Sequence, residues 1–514
     1  MQRSKLVGAL LLAGLTGCMG HRIGGADTEG NAIMAEGSAK VDRFREQLVE
    51  PGQGGDPRDP REPPVEVPEV LTLGDALRIA VQHSRSYKSR REGFFLTALG
   101  LGLTRRDFHQ MIFSGSVSYD LSDGRDVALA QSTALALTGS RSNLPTGGSL
   151  TVTGSTGLDI EPDQSASTSA SVSISQPLLR GRGKKIAWEP LVQSERNLIY
   201  EARSFEEFRQ TFTIGIIRQY YNLVSQRRSV ENARQQVENN KISLRQARAL
   251  YALEQGTQTD LFRAEREFRN SENGRLDSEQ AYEVALDRFK ITLGLPLSVK
   301  FDVVDEIPEP VDLDIDGIAA IRVALVNRLD LLTARQRHED SKRDLVIARH
   351  NMLPDLDLNA SYSITAADGS FDDLAFSSDF WSIGLSLQIP FDRKPERNAI
   401  KSATISYEQS RRNLEETEDS VILEVRDAVR RLRQRRQQIE NDRDNIETIG
   451  RLLLKADLNN RSGIGSNRDV VEATQNLTDA KNSLNERFVD YLIDRLNLLQ
   501  QMGLLFVDND GKVI

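Results

Sequence analysis

Residues 425–453 read VRDAVRRLRQRRQQIENDRDNIETIGRLL, and residues 216–244 read IIRQYYNLVSQRRSVENARQQVENNKISL. Val425, Leu432, Ile439, Ile446 and Leu453 fall every seven residues in the first stretch. Ile216, Leu223, Val230, Val237 and Leu244 do the same in the second, each 209 positions earlier. Apolar residues every seven positions predict long helices packed as a left-handed coiled coil. The spacing of 209 continues through Ala247/Ala456, Gly256/Gly465, Asp260/Asp469, Ala264/Ala473, Tyr282/Tyr491, Gly294/Gly503 and Leu295/Leu504. One unit is therefore a long heptad helix, a turn and a returning helix, and the chain carries it twice. No proline interrupts Leu191 to Leu295 or anything after Pro395. Leu191 to Leu253 alone would span about 95 Å as a helix. The apolar stripe is narrow and its flanks are Arg, Gln, Glu and Asn. Helices packed on two sides and wet on the other two suit the wall of a hollow cylinder.

Elsewhere the hydrophobic period changes from seven to two. Val117, Tyr119 and Leu121 alternate with Ser116, Ser118 and Asp120, and Ala170, Val172 and Ile174 alternate with serines. Leu358, Ala360, Tyr362 and Ile364 alternate with Asn359, Ser361 and Ser363. The clearest case sets Trp381, Ile383, Leu385, Leu387 and Ile389 against Ser382, Gly384, Ser386 and Gln388. One apolar and one small polar face is what a strand between lipid and a watery lumen needs; a half-buried strand of a sandwich is the plainer alternative. Residues 127–137 and 148–158 alternate weakly, and Asn143-Leu144-Pro145-Thr146-Gly147-Gly148 would join them as an extra hairpin. Whether that hairpin enters the barrel stays open at this point. Pro177, Pro354 and Pro390 mark the changes between strand and helix, where a residue without an N–H donor is tolerated.

The 514 residues carry a net charge of −9, 6% aromatic and 27% charged residues. The mean hydropathy of −0.43 argues against a bundle of membrane helices, and the charge gives no reason to expect nucleic acid. The N-terminus reads as a signal peptide: Arg3 and Lys5, then the apolar run Leu6 to Leu15, then Leu15-Thr16-Gly17-Cys18. That last tetrad resembles a bacterial lipobox, with Cys18, the sole cysteine, as the lipidated residue of the mature chain. Met19 rather than Asp follows it, which favours the outer membrane. The expected divisions are a signal peptide over 1–17 and a Pro-rich tether over 18–70. Two repeats follow, 71–300 with strands in 113–178 and 301–514 with strands in 356–390. Thr72 is the expected N-cap where structure begins.

Most of Leu71 to Leu505 resembles the TolC family of outer membrane efflux proteins. The resemblance is carried by Ala324-Leu325-Val326-Asn327-Arg328-Leu329-Asp330-Leu331, by Leu353-Pro354-Asp355-Leu356-Asp357-Leu358 and by Gln176-Pro177-Leu178-Leu179-Arg180-Gly181. Its weaker counterpart runs from Ala80-Val81-Gln82-His83-Ser84 to Ser118-Tyr119. The resemblance implies a mixed α and β fold. In it, a homotrimer shares one transmembrane β-barrel, with four strands per chain and twelve in all, continuous with a long periplasmic α-helical barrel. It implies an exit duct for tripartite efflux or type I secretion, in the outer membrane and reaching into the periplasm. That duct is fed by an inner-membrane transporter through a periplasmic adaptor and needs no cofactor. A periplasmic structural coiled coil or adaptor lipoprotein without a pore is the alternative.

The same resemblance maps an acidic pair at the periplasmic constriction onto Asp469 and Glu472, with Asp260 in the first repeat, where Arg263 replaces the second acid. A carboxylate ring would repel anions and bind cations. Acids in the first turn of a helix are also favoured by the helix dipole alone, by about 0.3–1 kcal/mol. Gly256, Gly463 and Gly465 are expected to turn the chain at the tips through positive φ. Adaptor contact is expected at Gly256, Thr257, Gly463, Gly465 and Ser466, within 255–258 and 463–467. No enzyme is indicated: His21, His83, His109, His338 and His350 lack metal-ligand spacing, and no Gly-x-Ser-x-Gly occurs. The basic run Arg430 to Arg436 keeps Leu432 in heptad phase and reads as a solvated helix face.

Overall fold

The computed structural model describes residues 67–124, 127–161, 165–309, 315–367, 378–462, 464–465 and 467–513. Cys18 and the tether lie outside them.

Four helices build the long part of the molecule. Glu189–Ala252 (α4) and Gln258–Leu293 (α5) form one hairpin, and Lys394–Arg461 (α8) and Asn467–Gln501 (α9) form the other. At about 1.5 Å per residue, the 64 residues of α4 and the 68 of α8 are each roughly 100 Å long. Near the turns the helices lie side by side in the order α5, α4, α9, α8. At the other end the shorter helices Arg85–His109 (α2) and Leu329–His350 (α7) replace α5 and α9, giving the order α2, α4, α7, α8.

The heptad positions do what their spacing requires. Ile216, Leu223, Val230, Leu244, Val425, Leu432 and Ile439 are all buried. Between α4 and α9 the seam turns polar: Asn232 donates to Asn482 at 2.6 Å, and Thr478 donates to the buried Gln236 at 3.2 Å. Between α4 and α7, the buried Asp340 accepts from Arg196 at 2.7 Å, from Tyr200 at 2.5 Å and from Arg343 at 2.9 Å. A buried carboxylate needs such partners, because leaving it unpaired would be costly.

Two apolar cores sit at mid-height. One joins Leu73–His83 (α1), α4, the end of α5 and the parallel pair Val70–Leu71 (β1) and Asp302–Val303 (β6). The other joins Gly317–Asn327 (α6), α7, α8 and α9. Thr72 caps α1 as expected, its hydroxyl accepting from the Asp75 N–H at 3.2 Å. Gly294 and Gly503 end α5 and α9 with φ of 79° and 69°. Each lies against the last turn of a short helix: a Cβ on Gly294 would meet the His83 carbonyl at 2.2 Å, and one on Gly503 the Asn327 carbonyl carbon at 2.8 Å. Only glycine fits both the conformation and the space.

The sheet is an antiparallel meander of Ile112–Gly124 (β2), Val127–Arg141 (β3), Ser149–Glu161 (β4), Ser165–Pro177 (β5), Asp355–Ala367 (β7) and Ser378–Gln388 (β8), in that spatial order. The described residues therefore supply six strands to this sheet, which corrects the four implied by the resemblance. The reason is local: β3 pairs with β2 and β4 pairs with β5, so the 127–161 hairpin separates strands that would otherwise be neighbours. Pro177 closes β5 opposite Asp357, and Arg180 bonds Asp355 at 3.1 Å, which ties the chain's exit from the sheet to its re-entry. The four-residue helix Lys184–Ala187 (α3) then leads into α4. Among the described residues no helix is long and apolar enough to cross a membrane.

Candidate constriction at the hairpin tips

The first tip forms because α4 runs out of helix at Leu253, whose N–H still reaches the Ala249 carbonyl. Glu254 takes φ of 57°, and the N–H groups of Gln255 and Gly256 both turn back onto the Leu250 carbonyl at 2.9 and 3.1 Å. Thr257 then starts α5: its hydroxyl accepts from the Asp260 N–H at 3.2 Å and donates to the Asp260 carboxylate at 2.6 Å. Arg263, one turn on, lies 3.6 Å from the same carboxylate.

The second tip repeats these bonds 209 residues later. The Ser462 N–H reaches Leu458, and those of Ile464 and Gly465 both reach Asn459 at 3.0 Å. The expected role of the glycines needs correction, since neither Gly256 nor Gly465 has a positive φ. They are needed for closeness. A Cβ on Gly256 would lie 3.2 Å from the Leu250 side chain, and one on Gly465 2.8 Å from Asn459. The left-handed position of the first tip is Glu254, whose counterpart at that spacing is Gly463. Gly463 and Ser466 lie outside the described residues.

Asp469 and Glu472 are exposed and Asp260 is half-buried; Asp260 and Asp469 lie in the first turns of α5 and α9, and Glu472 follows Asp469 by three residues. Asp260 is held by Thr257 and Arg263. Glu472 lies 3.6 Å from Arg468 in an exposed pair. Its sequence signal is an Arg four residues before a Glu on a helix, a spacing that brings opposite charges together. Exposed apolar side chains crown both turns, Leu253 at 66% and Ile464 at 85% accessible. Among the described residues no cluster of His, Cys, Asp or Glu could hold a metal ion.

Residues 320–504 match the family model described as outer membrane efflux protein. That segment belongs to the outer membrane efflux protein family. The outer membrane protein TolC of Escherichia coli K12 is 26% identical over 210 residues, covering 38% of this chain and 41% of TolC. The matched stretch thus spans about two fifths of that relative's length. In fold the likeness runs further. The outer membrane channel CmeC of Campylobacter jejuni superposes with a TM-score of 0.65 at 16% identity, over 84% of this chain and 85% of CmeC. The outer membrane protein VceC of Vibrio cholerae gives 0.64 at 15%, over 84% and 96%. CusC gives 0.64 at 15%, over 84% and 92%. The efflux family segment includes the second tip with Asp469 and Glu472.

Proposed function

We propose that three copies of the chain form an outer membrane channel that passively conducts substrates out of the periplasm. The six-stranded sheet carries this reading. It has one apolar and one small polar face, two unpaired edges, and proline-marked junctions to helices long enough to cross much of the periplasm. Residues 71–300 and 301–514 act as the two repeats of each wall. A pore-free coiled-coil lipoprotein would have no use for such a sheet.

Cys18 is the lipid-bearing mature N-terminus, and 18–70 its tether. Labelling with a radioactive fatty acid should mark the protein and fail with Cys18→Ser; equal labelling of both would overturn this. An inner-membrane transporter and a periplasmic adaptor engage the tips. The exposed Leu253 and Ile464, beside Gly256, Thr257 and Gly465, support that contact. The mode is that of tripartite efflux or type I secretion.

Asp469 and Glu472, with Asp260, ring the constriction. Single-channel recording in a planar bilayer tests this and the channel itself. The wild type should show discrete, cation-selective steps that divalent cations block. The double variant Asp469→Asn, Glu472→Gln should lose most of the selectivity and the block, with oligomer content nearly unchanged. Unaltered selectivity and block would reject the constriction, and absence of any steps would reject the channel.

A further inference from the structure

Residues 127–161 form a hairpin inside the six-stranded sheet. Their two strands pair on both sides: Val117 faces Leu135, Leu135 faces Thr156, and Thr156 faces Thr168. Directly opposed residues of an antiparallel sheet share a face. One row of mostly apolar residues runs across all six strands: Phe113, Gly139, Val152, Val172, Tyr362 and Trp381. The opposite face carries a row of small residues, Thr138, Thr153, Ser171, Ser363 and Phe380, broken only by the last. A hairpin that merely capped a barrel would have no reason to keep this phase.

The hairpin is also fastened at the helix end of the sheet. The Gly183 N–H reaches the Thr146 carbonyl at 3.0 Å, and the Thr146 hydroxyl donates to Gln176 at 2.5 Å. A Cβ on Gly147 would meet the Gly181 carbonyl oxygen at 2.3 Å. The 142–148 turn is thus part of the junction where β5 leaves the sheet.

We propose that the hairpin is part of the barrel wall, so that the three-copy channel is closed by eighteen strands, with β8 of each copy paired antiparallel to β2 of the next. This rests on the trimeric membrane reading above. β8 is exposed throughout and β2 is exposed from Phe113 to Leu121, and open edges do not survive in lipid. Six strands is an even number, so the meeting edges run antiparallel, and the odd-numbered residues of both edges share the apolar face. The widths also agree. Six strands about 4.8 Å apart and tilted about 40° cover roughly 38 Å of wall per copy. Four helices about 9–10 Å apart cover roughly 38 Å as well, whereas four strands would cover only about 25 Å. With eighteen strands the barrel backbone is about 36 Å across rather than about 24 Å, since diameter grows with strand number. The outlet is then as wide as the duct below it, and the tips, not the membrane barrel, limit what passes.

Because the tips limit the current, the width has to be read structurally. Electron cryomicroscopy of the full chain in lipid nanodiscs should show eighteen strands at mid-barrel. Twelve strands, with 127–161 outside the wall, would overturn the inference and leave a three-copy channel standing. Particles without threefold symmetry or without a barrel would overturn both. A solution measurement covers the hairpin itself. A fluorophore on Leu137→Cys should be quenched severalfold more by a lipid-borne quencher than by iodide, and one on Ala136→Cys the reverse. Equal quenching of both positions by iodide would place the hairpin in water and overturn the inference.

Discussion

The helical wall and the sheet solve opposite problems. The helices bury their apolar stripe within one chain: Val224, Leu293, Leu331, Val425 and Leu498 are wholly enclosed. In the six-stranded sheet, Ala366 is the one buried apolar residue among those described, while Trp381, Ile383 and Leu385 are each more than two thirds accessible. Hydrophobic burial is the main force that holds a fold together in water, so the helical half is stabilised by its own sequence. The sheet has backbone pairing but no core. In the proposed channel, lipid would cover its apolar face and neighbouring copies its edges.

Parallel leucine substitutions separate the two. Leu498→Ala empties an enclosed site and should cost about 2–5 kcal/mol, read as a lower midpoint for loss of helical circular dichroism. Leu385→Arg puts a charge on the lipid face and should cost about 2–4 kcal/mol when near the midplane, read as loss of the heat-modifiable band after membrane insertion. Ser386→Arg, on the polar face, should insert normally. Equal failure of both strand variants would mean that the sheet has no lipid side.

A smaller, pH-dependent effect belongs to the helical half alone. Burial pushes the Asp330 carboxyl up, but the two-pronged contact from Arg328, at 3.0 and 2.6 Å, outweighs it and leaves Asp330 below its ordinary 3.8. A depressed carboxyl contributes stability above the unfolded value, and that stability is lost as pH falls through the folded one. The melting-temperature gap between wild type and Asp330→Asn should be full at pH 7 and close as pH drops below about 4. A gap unchanged at pH 3 would remove the ion pair from the account.

Much of this was readable beforehand, for physical reasons. A seven-residue period specifies a packed helix over many turns, so Ile216 to Leu244 and Val425 to Leu453 announced the hairpins. Strict alternation in Trp381 to Ile389 announced a strand with two unlike faces. The weaker rows of β3, where Leu135 and Leu137 share a face with Thr133 and Gly139, gave little contrast, and only pairing on both sides shows that they continue the sheet. At the tips, glycine was expected for its positive φ. Its actual role, room for the helix end at Leu250 and Asn459, depends on a close approach that no local pattern encodes. The cations near the acids were visible as spacings, Asp260 with Arg263 and Arg468 with Glu472, but not the exposure that keeps those pairs weak.

One chain leaves the sheet open at both ends, β2 and β8. Detergent-corrected mass measurement of protein purified from outer membranes tests most directly whether neighbouring copies close it. Three chains per particle with the full β content is the expected result. A stable monomer with the same β content would contradict it, because six strands would then be closing, or surviving open, without neighbours.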